Sequence, residues 1–95
     1  MRFVWTRPAL RHLDEIQDYI AQHSPAAAYE VAYSVTTRAE DGLSHAPLMG
    51  RHGRASDTRE LVFADLPYIV VYRITTQVEI LAVIHTARDW PEGFD

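Results

Sequence analysis

Residues 59–74 read RELVFADLPYIVVYRI, and residues 85–90 read HTARDW. Two runs rich in Val, Ile, Phe and Tyr meet there at a proline-bearing turn. From Thr58 onward the runs are TRELVFA (58–64), YIVVYRIT (68–75) and VEILAVIH (78–85), separated by DLP and TQ. Gaps of that size between β-prone runs predict consecutive antiparallel hairpins. The second and third runs are apolar on both alternations, so each is expected to be a central strand covered on both faces. A two-residue Thr76-Gln77 loop would set Tyr72 opposite Leu81, Val70 opposite Val83 and Tyr68 opposite His85.

Upstream the period changes to helical. Phe3, Val4 and Trp5 form a short apolar run, and Thr6 with Pro8 marks a helix start, the hydroxyl accepting an orphan amide and the proline fitting the first turn. Leu10, Leu13, Ile16 and Ile20 then recur at helical spacing, opposite Arg11, Asp14, Glu15 and Asp18, to an end near His23. A second helix is predicted from Ser24 as N-cap and Pro25, with Ala28, Val31, Val35 and Ala39 on one stripe and Gly42 near the stop. The short connection makes the two helices an antiparallel hairpin. SHAPLMGRHGRASD (44–57) reads as loop. The helix hairpin covers one face of the strands; the other needs the tail, the loop or a partner.

The chain has 95 residues, 47% of them hydrophobic, which fits one compact domain over residues 1–95. Its nine basic residues are all arginine against thirteen acidic ones, for a formal charge of −4. That balance argues against bulk attraction to nucleic acid. There is no cysteine, hence neither a disulfide framework nor a thiolate zinc site. The start of the chain turns polar too early for a signal peptide, and no run is long enough to span a bilayer, so a cytoplasmic protein without membrane attachment is expected. The five histidines, His12, His23, His45, His52 and His85, show no metal-ligand spacing. Neither a metal nor another cofactor is expected.

The candidate functional residues cluster late. His85 ends an apolar strand, where a histidine is more often a hydrogen-bonded structural residue than a catalyst. Arg59 beside Glu60 is either a solvated strand start or a receiver for a partner's carboxylate. Trp90 follows the last strand, and an aromatic there usually folds back on the core; contact with a partner is the minority reading.

The ordered set of an N-terminal strand, a two-helix hairpin and a three-stranded antiparallel meander, with TREL opening the meander, PYIVVYRI in its middle and VIHTARDWP at its end, resembles the RelE/ParE superfamily of bacterial toxins. The resemblance spans the whole chain. It implies an α+β fold and the toxin half of a two-gene module, neutralised in a hetero-oligomer by a cognate antitoxin. Some members of that superfamily cleave messenger RNA on the ribosome, and others poison DNA gyrase.

The nuclease branch typically carries basic side chains on the concave face of the sheet, including an arginine directly after the tyrosine that begins the second meander strand. Here that tyrosine is Tyr68, and Ile69 follows it. In-line attack by a ribose hydroxyl needs a base, an acid and cations within hydrogen-bond reach. Arg59, Arg73, His85 and Arg88 are the groups available for that alternative. The resemblance therefore favours a ParE-like, non-enzymatic gyrase poison, with Arg59, Tyr68, Tyr72, His85, Arg88 and Trp90 as expected antitoxin or target contacts. The alternatives are a RelE-like ribosome-dependent endoribonuclease and a degenerate relative that binds antitoxin only.

Overall fold

The computed structural model describes residues 2–87. Within them the elements run β1 (Phe3–Trp5), α1 (Arg7–Ala21), α2 (Pro25–His45), β2 (Arg51–His52), β3 (Arg59–Val62), β4 (Tyr68–Ile74) and β5 (Val78–His85). The five described strands form one mixed sheet in the order β1-β5-β4-β3-β2. β1 lies parallel to β5, with Phe3 opposite Val78 and Trp5 opposite Ile80, while the other pairings are antiparallel. The α+β architecture and the meander expected from the sequence are both present, and the N-terminal strand closes one side of the meander.

Helix starts follow local chemistry, with one exception. Ser24 caps α2 by accepting a bond from the Ala27 N–H at 3.1 Å. Thr6 precedes α1 without capping it: its hydroxyl donates to the Ile80 carbonyl at 2.8 Å, tying the helix start to β5. The buried stripe of α1 is Ala9, Leu13 and Ile16, and Leu10 is 48% exposed. Leu13 and Ile16 hold the expected positions and Ile20 packs at the edge of the core, while Ala9 takes the place expected for Leu10. α1 ends at Ala21, short of His23, and α2 continues past Gly42 to His45.

The sheet divides its side chains by alternation. Leu61, Tyr68, Val70, Tyr72, Val78, Ile80 and Val83 pack with Leu13, Ile16, Val35, Ala39 and Leu43 in the main core under the helices. Ile69, Val71, Ala82 and Ile84 form a separate cluster on the opposite face, each no more than 5% exposed. That second face is closed within the single chain, so no partner is needed to bury these four residues.

Two departures from the expected register compensate for one another. The β4–β5 loop comprises residues 75–77, between the paired Ile74 and Val78, and is therefore one residue longer than the expected Thr76-Gln77 turn. A bulge between Val71 and Tyr72 then inserts Leu81, so Tyr72 faces Ile80 and not Leu81. Beyond the bulge Val70 faces Val83 and Tyr68 faces His85, as expected. The segment 44–57 is likewise not all loop, since β2 pairs with Arg59 and Glu60.

α1 is also tied to β5 by His12, whose Nδ1 accepts the Val83 backbone N–H at 3.2 Å. Burial pushes the His12 pKa below 6.5, against the opposing charge of Glu15 and with a smaller contribution from Arg11 in the same direction. The unfolded chain therefore takes up this proton first. The contribution is complete above the unfolded pKa and is lost as pH falls from there through the folded value. Urea midpoints at pH 7.5 and 5.0 should show the wild type losing about 1 kcal/mol more than a His12→Gln variant, the worth of one hydrogen bond. Equal losses in the two proteins would remove His12 as the cause.

Candidate partner-binding site

Among the described residues, the side chains singled out in the sequence do not converge on one point. Arg59 faces Tyr72 across β3 and β4, on the helix side of the sheet. Its Nη1 donates to the Leu48 carbonyl at 3.1 Å and the Gly50 carbonyl at 2.8 Å. Tyr72 is fully buried. Its hydroxyl donates to the Pro47 carbonyl at 2.7 Å and accepts the Gly50 N–H at 3.0 Å. Burial holds the Tyr72 phenol above its ordinary pKa, outweighing the Gly50 bond and the Arg59 charge. The cross-strand pair Arg59 and Tyr72 thus clamps the segment 47–50 after α2. A Cβ at Gly50 would lie 2.6 Å from the Tyr72 hydroxyl, so this close approach requires glycine. With no exposed surface, Tyr72 can influence a partner only through the loop it holds.

At the other end of β4, Tyr68 meets His85 edge to face, with ring centroids 5.3 Å apart. The His85 Nδ1 accepts the Ala87 N–H at 3.0 Å, which places the proton of the neutral ring on Nε2 and gives the histidine a role in the turn after β5. Arg59 and His85 lie opposite positions four residues apart on β4, about 13 Å along the strand. Arg73 is on the opposite face from Arg59, and its Nε donates to Glu79 Oε1 at 2.6 Å, holding that carboxyl below its usual range. Arg88 and Trp90 lie outside the described residues.

The face that bears Ile69 is apolar where a nuclease of this architecture would be cationic. In register beside Ile69 stand Val62 and Ile84, and beside Val71 stand Glu60 and Ala82. Glu60 is 3% exposed. Its carboxylate accepts Arg51 Nε at 3.0 Å and the Arg54 backbone N–H at 2.9 Å, and it forms an ion pair with Arg51 Nη2 at 2.9 Å. It is therefore the anchor of β2, a role its adjacency to Arg59 did not disclose.

Sequence reasoning also passed over the outer surface of the helix hairpin. Tyr29 and Tyr33 are 66% and 59% exposed and stack with centroids 6.1 Å apart. With Leu10 and Leu13 they line a groove of about 320 Å3 between α1 and α2. The signal was available: two tyrosines four apart, off the Ala28, Val35 and Ala39 stripe, must share an outward face. On the same helix Arg38 makes a two-point contact with Asp65 at 2.8 and 3.0 Å and lies over the Phe63 ring, fixing the β3–β4 turn against α2.

A two-helix hairpin thus lies on a mixed sheet, with a groove between the helices and a clamped loop after α2. The sequence matches the family model described as the ParE toxin of the type II toxin-antitoxin system, parDE, over residues 3–90. The chain belongs to that family. It is 50% identical over 91 residues to the putative toxin Y4kP of Sinorhizobium fredii, covering 96% of this chain and 94% of the relative. It is 42% identical over 86 residues to the toxin RelE2 of Caulobacter vibrioides, covering 90% and 94% respectively. A chain from a solved structure of the chromosomal ParDE system from P. aeruginosa superposes with a TM-score of 0.80 at 24% identity, covering 90% of this chain and 95% of that one. Membership of a type II toxin-antitoxin family implies a cognate antitoxin as partner. No helix among the described residues is long and apolar enough to cross a membrane.

Proposed function

We propose that this ParE-family toxin arrests growth by binding DNA gyrase without chemistry of its own, and that its antitoxin neutralises it by lying along the α1/α2 groove. The observation that carries the first part is the apolar second face of the sheet. Ile69 occupies the position after the leading tyrosine, its neighbours in register are aliphatic, and Arg73 and Arg51 are each committed to a carboxylate. Among the described residues, the two arginines on that face are thus each paired with a carboxylate, which leaves them poorly placed to stabilise the developing charge of phosphoryl chemistry. The name of the Caulobacter relative belongs to that protein, and ribosome-dependent cleavage is the competing outcome of the assay described in the Discussion.

The second part is supported by the exposed Leu10, Tyr29 and Tyr33, which form an apolar groove suited to the apolar stripe of an antitoxin helix. Replacing Tyr29 and Tyr33 together by alanine should raise the dissociation constant for the antitoxin on the order of tenfold to a hundredfold, the range for aromatic interface anchors. The thermal midpoint of the toxin alone should move little, because both rings are mostly exposed. Titration calorimetry of the purified pair measures the first quantity and differential scanning calorimetry the second. An unchanged affinity would place the antitoxin elsewhere.

A further inference from the structure

The clamped segment 47–50 and the β2–β3 hairpin border a cavity of about 610 Å3, lined by Leu48, His52, Arg54, Arg59 and Ile74 among others. Short contacts set its shape. The Gly53 N–H donates to the Thr58 carbonyl at 2.8 Å, and the Thr58 hydroxyl donates to the Ala55 carbonyl at 2.6 Å. A Cβ at Gly53 would stand 2.2 Å from the Thr58 hydroxyl, and Asp57 turns the corner with φ of 61°.

Arg59 lines this cavity with its guanidinium held by backbone carbonyls. Its Nη1 serves the Leu48 and Gly50 carbonyls, which fixes the guanidinium plane and leaves Nε–H and Nη2. Those two groups form the side-on fork that matches both oxygens of a carboxylate. Arg11, Arg38, Arg51 and Arg73 each have a carboxylate within 4.0 Å; Arg59 has none among the described residues. Beside it in the cavity lining Leu48 is 66% exposed, on a segment joined to Arg59 and Tyr72 by four hydrogen bonds. A rigid apolar projection next to an open guanidinium fork fits a peptide segment that carries an acidic side chain close to an apolar one.

We propose that this cavity receives an Asp or Glu side chain of a partner protein in the Arg59 fork, with a neighbouring apolar side chain against Leu48. A polyphosphate strand is disfavoured by the net charge of −4 and by Asp57 in the cavity lining. One carboxylate balances one guanidinium. That the partner is the antitoxin rests on the reading above; the carboxylate site itself does not.

The test is the arginine side-chain Nε–H resonance of Arg59 in the purified toxin, followed during titration with sodium acetate. A saturable shift is expected with acetate, with none in sodium chloride at the same ionic strength and none at this resonance in Arg59→Lys. No response to acetate, or an equal response to chloride, overturns the site. Tighter binding of inorganic phosphate than of acetate overturns the carboxylate assignment. In the complex with the cognate antitoxin, the Arg59 signal should move, and Leu48→Ala should weaken binding about tenfold. Acetate binding with an unmoved Arg59 signal in a complex that does form overturns the antitoxin as occupant. Failure of any complex to form overturns instead the reading on which that occupant rests.

Discussion

Replacing Tyr72 by alanine is expected to destabilise the toxin by about 3–5 kcal/mol, the range for removing a large buried aromatic side chain. The ring is fully buried in the main core, and its hydroxyl is the link between β4 and the segment 47–50. A domain of this size has a total stability on the order of 5–10 kcal/mol, so the variant should populate unfolded chains at moderate urea concentrations. Tyr72→Phe separates the two contributions. It keeps the ring and orphans the Gly50 N–H and the Pro47 carbonyl, at a cost of about 1–3 kcal/mol. Urea midpoints with an unchanged m-value measure both. A Tyr72→Phe variant as stable as the wild type would mean that the loop is held by Arg59 alone.

The second large effect is functional and is expected to be absent. His85→Gln should leave growth arrest intact, because glutamine can still accept a bond from the Ala87 N–H and the proposed mode of action asks nothing further of residue 85. A nuclease using His85 as acid or base would lose about 10²–10⁴-fold in rate. Induction of the variant at verified expression, scored by colony counts against the wild type, distinguishes the two. Loss of arrest from a folded His85→Gln protein would contradict the proposal.

Much of this was legible in the sequence, and the omissions have physical causes. Helical periodicity located both helices, and runs rich in Val, Ile, Phe and Tyr between turn-sized gaps located the three meander strands. Pairing of Tyr68 with His85 was reached through a loop one residue too short, and the Leu81 bulge restored the register by adding one residue to β5. Bulges leave no periodic mark, since the inserted residue is as apolar as its neighbours. β2 escaped notice because two exposed residues carry no pattern, and its pairing depends on Glu60 reaching Arg51 and the Arg54 amide. For Tyr72 the alternation gives the face of the sheet and not the depth, so a side chain expected at an interface lies in the core. Arg59 and Arg73 fall on opposite faces, as alternation along the meander implies once the register is known.

The central claim is that the toxin binds gyrase and leaves messenger RNA uncut. Purified toxin should be added, in parallel, to a gyrase supercoiling reaction and to a translating extract read by primer extension. Supercoiling should be lost, and preserved by prior addition of antitoxin, with the message intact. Cleavage within ribosome-bound codons while supercoiling proceeds normally would contradict that claim.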